Sequence, residues 1–284
     1  MSSPTAGQVS ALVGYDGSLS ANAAIDVAAR LLPDVSARVL YLWEPPYAAP
    51  ELRHRLVREA RTLEELMESL EREGAAEAAR IAALGTGVAR AAGWTAEPVV
   101  QRSYGGNGYQ FARLAEEHGC DVVVVGSRGM SGVQAVLGSV SEVVVHVSTV
   151  PVLVVPHPLT SREREACGTG PVLVGVDGSA TAERAVDLAT ALVPGRTVLR
   201  AEVGDHDADP GGEVTRLERR GPGAGGVAAA LGEYAAEQGA GVVVVGSRGQ
   251  STAREVLLGS VVRALLHQAQ RPVLVIPPEQ RFGS

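Results

Sequence analysis

Short apolar runs alternate with longer amphipathic stretches along the first half of the chain. Ser10–Gly14, Arg38–Trp43, Glu97–Arg102, Asp121–Gly126 and Val150–Val155 read as strands. Between them, Ser20–Leu32, Tyr109–Glu117 and Gly138–Ser148 read as helices, the first capped by Ser18 or Ser20. Pro50–Ala92 carries Leu52, Leu56, Leu63, Leu66 and Leu70 at three- and four-residue spacings. That spacing predicts one long helical region, interrupted at Gly74, Gly85 and Gly87. Strict alternation of strand and helix implies a parallel, doubly wound sheet.

The pattern then recurs. Val13-Gly14-Tyr15-Asp16-Gly17-Ser18 returns as Val174-Gly175-Val176-Asp177-Gly178-Ser179, and Val122–Gly129 returns as Val242–Gly249. Leu137–Val140 returns as Leu258–Val261, and Pro151–Pro156 as Pro272–Pro277. Asp16 and Asp177 are 161 positions apart, but Gly126 and Gly246 only 120. The second copy has therefore lost a block between its first and second motifs. A parallel crossover needs about a dozen residues or more, and Gly204–Gly212 is too short to carry a helix. The expected organisation is one domain over 1–156, a polar linker over 157–170 and a truncated domain over 171–284.

Strand chemistry agrees with the truncation. Val39–Trp43 is apolar throughout, whereas Val198-Leu199-Arg200-Ala201-Glu202-Val203 alternates, as a strand with one wet face does. For Glu213–Arg219 three forms remain open: an antiparallel edge strand, an irregular segment, or a strand reached by a tight crossover. A weak, polar edge strand is favoured, because Arg216, Glu218, Arg219 and Arg220 would blunt pairing.

Composition narrows the chemistry. All 25 basic residues are Arg, so no Lys is present to serve a P-loop. That usage suggests a GC-rich bacterial source. A net charge of −7 argues against a nucleic-acid footprint. The apolar runs are strand-length, and Met1–Gln8 is polar, so no membrane role and a cytoplasmic location are expected. Cys120 and Cys167 form neither a disulfide framework nor a zinc pattern. Asp205-His206-Asp207-Ala208-Asp209 looks metal-like, but Pro210 and Arg216 stand where an EF-hand needs Gly and Glu, so a solvated turn is expected there.

The glycine turns carry the candidate chemistry. Gly246-Ser-Arg-Gly249 follows a buried strand, and Gly259-Ser260 opens a helix nine residues later; in the first copy Gly126-Ser-Arg-Gly129 is followed by Gly138-Ser139 after eight. Backbone amides at a helix start, approached through glycine, suit phosphate. Asp16 and Asp177 end the first strand of each copy, where an open parallel sheet binds ligands. Arg128 and Arg248 suit either phosphate or solvent.

Taken together, these motifs resemble the universal stress protein family over nearly the whole chain. The resemblance implies two adenine-nucleotide alpha-hydrolase-like domains with five-stranded sheets, the second copy lacking its second helix. It implies Asp16 and Asp177 near an adenine, and Leu42 and Ala201 as the apolar residues against the base. It places Gly126, Gly129, Gly138, Ser139, Val140 and Ser141 around phosphate and ribose. Gly246, Gly249, Gly259, Ser260 and Val261 do the same in the second copy. Val262 stands where the first copy has Ser141. The ligand implied is ATP or a related adenine nucleotide, with Mg²⁺ as the ion accompanying ATP, in a stress-response regulatory protein without efficient catalysis. A non-nucleotide interaction module and a slow ATPase are the alternatives. The one-residue deletion before Gly138 predicts weaker phosphate binding in the first copy than in the second. The resemblance implies that the two domains pair within the chain through Val152–Val155 and Val273–Ile276, as the family's dimers do, which leaves a homodimer open.

Overall fold

The computed structural model describes residues 8–44, 50–127, 138–204, 213–247 and 258–278. The first half runs β1 (Val9–Gly14), α1 (Leu19–Leu31), β2 (Val35–Trp43), α2 (Pro50–Glu59), α3 (Leu63–Ala91), β3 (Thr95–Arg102), α4 (Asn107–Glu117), β4 (Val122–Gly126), α5 (Ser139–Val147) and β5 (Val152–Val155). After α6 (Ser161–Thr169), the second half runs β6 (Val172–Gly175), α7 (Ala180–Leu192), β7 (Val198–Gly204), β8 (Val214–Glu218), α8 (Gly223–Glu237), β9 (Val242–Gly246), α9 (Ser260–Gln268) and β10 (Val273–Ile276). The described strands form one sheet in the order β3-β2-β1-β4-β5-β10-β9-β6-β7-β8. Each half is parallel, and the halves join antiparallel through β5 and β10, with Leu153 opposite Leu274.

Valine-rich central strands explain this sheet. Val122–Val125 and Val242–Val245 are buried on both faces, as parallel strands between two helical layers must be. One face packs Val13, Val39 and Val124 against Ile25, Ala89 and Trp94 of the α1–α3 layer. The other packs Leu12, Leu40 and Val123 against Phe111, Leu114 and Val144 of the α4–α5 layer. Side chains alternate along a strand, so the two cores share each strand between them.

The long helical region breaks elsewhere than at its glycines. α2 ends at Glu59 and α3 continues unbroken through Gly74, Gly85 and Gly87. Thr62 makes the break: its hydroxyl accepts from the Glu65 amide at 3.1 Å, and the Glu65 carboxylate accepts from the Arg61 amide at 2.8 Å. These bonds satisfy donors that a helix start leaves open. Gly85 serves packing instead, since a Cβ there would lie 2.6 Å from the Tyr15 ring.

Residues 157–170, expected as a polar linker, contain α6. Thr160 and Glu163 form a reciprocal capping box at its start. Cys167 anchors its other end, fully buried, with its thiol donating to the Glu163 carbonyl at 3.1 Å.

On the α1–α3 face the halves differ as the truncation requires. Val39 is buried beneath α3, and its register equivalent on β7 is Arg200. Arg200 is half-buried and pairs with Glu183 of α7 at 2.8 Å. Glu202 pairs with Arg216 of β8 at 3.6 Å. β8 is a polar edge strand, and it runs parallel to β7; the antiparallel form is not adopted.

Candidate functional site

In each half the strand order reverses beside the first strand, and loops at the C-terminal strand ends diverge there. In the first half this switch point lies between β1 and β4, and it opens into a cavity of about 240 Å³. Gly14, Val125 and Gly126 form the floor. The floor is close-packed: a Cβ at Gly14 would approach the Phe111 ring to 3.1 Å. β2 contributes Leu40, Tyr41 and Leu42 along one wall, and α4 contributes Asn107 and Phe111 along the other. Tyr15 and Asp16 complete the β1 side, and Gly138, Ser139, Val140 and Ser141 form the remaining border.

Local bonding sets each polar group. The Asp16 carboxylate accepts from the Ser18 amide at 3.0 Å, and Ser18 in turn caps α1 by accepting from the Ala21 amide at 3.1 Å. Asp16 thus shapes the turn as well as facing the cavity. The Tyr15 hydroxyl donates to Asn22 at 2.9 Å. Burial, reinforced by the Asp16 charge, pushes the Tyr15 phenol up from its ordinary value, so it remains a neutral donor. Ser103 and Asn107 are hydrogen-bonded to each other at the start of α4.

The start of α5 is the chemically distinctive border. Gly138 occupies the cap position, and no side chain caps the helix. Its first-turn amides are therefore available at the cavity, at the positive end of the helix dipole. Gly138 donates to the Ser127 carbonyl at 2.8 Å, and the Ser141 hydroxyl donates to the Gly126 carbonyl at 2.8 Å. These two bonds tie the helix start to the end of β4. A cleft with an apolar body, one carboxylate and a helix start fits an apolar ring at one end and an anion at the other.

The structure brings Asp16, Leu42, Gly126, Gly138, Ser139, Val140 and Ser141 together in this one cavity. Gly129 and Arg128 lie outside the described residues, as do Gly249, Arg248 and the segment Asp205–Asp209. Tyr15, Leu40, Asn107 and Phe111 were missed by sequence reasoning. Leu40 was within reach, since period-two alternation places it on the same face as Leu42. Asn107 and Phe111 carried no local signal, because α4 reaches the site only through the crossover.

In the second half the corresponding groups occupy the same strand ends with altered chemistry. Asp177 accepts from the Ser179 amide at 3.0 Å, repeating the Asp16 turn. Gly259 donates to the Ser247 carbonyl at 2.9 Å, repeating the Gly138 bond, and Ser260 and Val261 begin α9 behind it. The register corrects one equivalence. Gly14 pairs with Leu40, and Gly175 pairs with Ala201. Ala201 therefore matches Leu40, and the counterpart of Leu42 is Val203. The 161-residue offset that relates Asp16 to Asp177 also relates Leu40 to Ala201 and Leu42 to Val203, so setting Ala201 against Leu42 displaces the strand by two residues. Counting along the same elements puts Val176 for Tyr15, Glu202 for Tyr41, Val227 for Asn107 and Val262 for Ser141.

Among the described residues no group of three His, Cys, Asp or Glu side chains is arranged to hold a metal ion. Among them also, no helix is long and apolar enough to cross a membrane.

The model of the universal stress protein family matches residues 10–156 and 198–277. A universal stress protein from Archaeoglobus fulgidus DSM 4304 superposes on 94% of this chain and 98% of its own, with a TM-score of 0.65 and 21% identity. A functionally unknown protein from Pseudomonas aeruginosa PAO1 covers 95% of this chain and 92% of its own, with a TM-score of 0.55 and 14% identity. These likenesses establish the shared fold. No curated protein sequence matches the chain.

Proposed function

The chain belongs to the universal stress protein family, and from that premise we propose a stress-response regulatory role in which the first half binds ATP or a related adenine nucleotide. One observation carries this reading. Seven residues that the family resemblance picks out from separate parts of the sequence line a single cavity at the switch point.

The proposed pose follows from the wall chemistry. The base lies among Leu40, Leu42 and Phe111, which supply apolar contact. The Asp16 carboxylate accepts from base or ribose hydroxyl donors. The phosphates lie at the start of α5, where Gly138 lets the backbone approach and the Ser139 and Val140 amides point outward. Mg²⁺ accompanying ATP belongs to the same proposal. Binding without efficient catalysis is supported by the lining: its titratable groups among the described residues are Asp16, Tyr15 and Tyr41, and Tyr15 stays protonated.

The choice of the first half rests on the second half's substitutions. Glu202 brings negative charge where Tyr41 stands, and Val227 and Val262 replace the polar Asn107 and Ser141. The shortened loop before Gly138 argued for the opposite choice, but it falls on residues outside those described. Mass spectrometry of denatured protein, purified without added nucleotide, tests the reading. An adenine nucleotide is expected in wild type and absent from Gly138→Glu, whose carboxylate would repel phosphate. Gly138 has φ −60° and ψ 141°, which any residue adopts, so this variant is expected to fold.

A further inference from the structure

A second cavity, of about 230 Å³, lies between α8 and α9 against the start of β9 and the residues leading into β10. Ala228, Gly232, Ala236, Val243, Leu265 and Ala269 make most of it apolar. Arg271 also lines it, and this residue is only 6% exposed. Neither its Nε nor its Nη1 has a hydrogen-bond partner. A buried guanidinium without a counter-charge is costly.

The surrounding groups leave that charge unanswered. Glu233 lines the cavity too, but it is engaged by Arg220 at 2.8 Å. Cys167 is the other group whose charge would couple to Arg271, and burial holds its thiol up at about 11, so it is neutral at ordinary pH. Gln268 and Gln270, also in the lining, are uncharged.

The first half shows that the fold does not demand this arrangement. There the positions of Ala236 and Gln270 are held by Glu116 and Thr149, which hydrogen-bond to each other. Val150 stands in place of Arg271, Val147 in place of Gln268, and Ala112 in place of Gly232. The second half has thus shortened the side chains on α8 and put a cation where an apolar residue suffices. Open space remains beside Gly232, where an added Cβ would meet nothing within 4 Å.

We propose that this cavity binds a small monocarboxylate with a short apolar body, its carboxylate paired with Arg271. The charge count fits a monoanion, one unpaired cation beside one neutralised acid. The size fits too. A water's share of liquid is about 30 Å³, so the cavity spans on the order of eight waters, room for a body the size of butyrate or benzoate.

Thermal unfolding of the full chain tests this, with butyrate and benzoate as probes and butanol as the uncharged control. Both carboxylates should raise the melting temperature of wild type by mass action, and butanol should not. The shift should vanish in Arg271→Met. It should also vanish in Gly232→Leu, which fills the cavity, keeps the cation and favours the helix. No shift in wild type, an equal shift with butanol, or a shift retained in either folded variant would overturn the proposal. The result is independent of nucleotide binding, since the two cavities share no lining residue.

Discussion

The Tyr15 ring lies against Gly85 so closely that a methyl group on Gly85 would sit 2.6 Å from it. This contact joins the cleft to α3, because Tyr15 lines the cavity on one side and packs on the helix on the other. Gly85→Ala gains helix propensity of up to about 1 kcal/mol but overpacks the ring, at about 1–3 kcal/mol. Net destabilisation is expected, together with weaker nucleotide binding as Tyr15 shifts. Val176 holds the place of Tyr15 in the second half, which has no described counterpart of α3. Adding Tyr15→Val to Gly85→Ala should therefore recover stability; urea unfolding of the single and double variants checks this.

Cys167 makes stability pH-dependent in the alkaline range. Burial pushes its thiol from 9.0 up to about 11, against the opposing influence of Arg271, Arg30 and Arg196. The unfolded chain loses this proton near pH 9 while the folded chain keeps it. The contribution is thus complete below that pH and is lost as pH rises towards 11. Two units correspond to on the order of 2–3 kcal/mol. Unfolding free energies measured from pH 8 to 10.5 should fall more steeply in wild type than in Cys167→Ala.

How much was legible in the sequence follows from where each signal resides. The β5–β10 pairing came from the family resemblance, whereas the strands and their parallel, doubly wound arrangement were readable because buried parallel strands are unbroken apolar runs and the motifs repeat in order. The seam at Thr62 was not, because a capping threonine is a weaker mark than three glycines, and Gly85 answers to Tyr15, seventy residues away. α6 was hidden by its polar surface, with Cys167 its one buried residue. At the site, Asp16 and the α5 glycines lie in compact motifs and were found. Asn107 and Phe111 reach the cleft only through tertiary packing. The Val203 equivalent of Leu42 was legible too, because the 161-residue offset between Asp16 and Asp177 carries straight through the second strand, and the register confirms it.

Leu153 and Leu274 face each other at the centre of the antiparallel seam, and both are nearly fully buried. Either Leu→Ala change should cost about 2–5 kcal/mol. Since the two share one contact, the double variant should depart from additivity by about 0.5–3 kcal/mol. A denaturant double-mutant cycle measures that coupling, and strict additivity would mean that the halves do not support each other there.

Isothermal titration calorimetry of ATP into the full chain, with and without Mg²⁺, tests the central claim most directly. Wild type should bind one ATP per chain, Gly138→Glu should lose that binding, and Gly259→Glu should keep it. No binding to wild type at millimolar ATP, or binding lost in Gly259→Glu and retained in Gly138→Glu, would contradict the assignment of a nucleotide site to the first half.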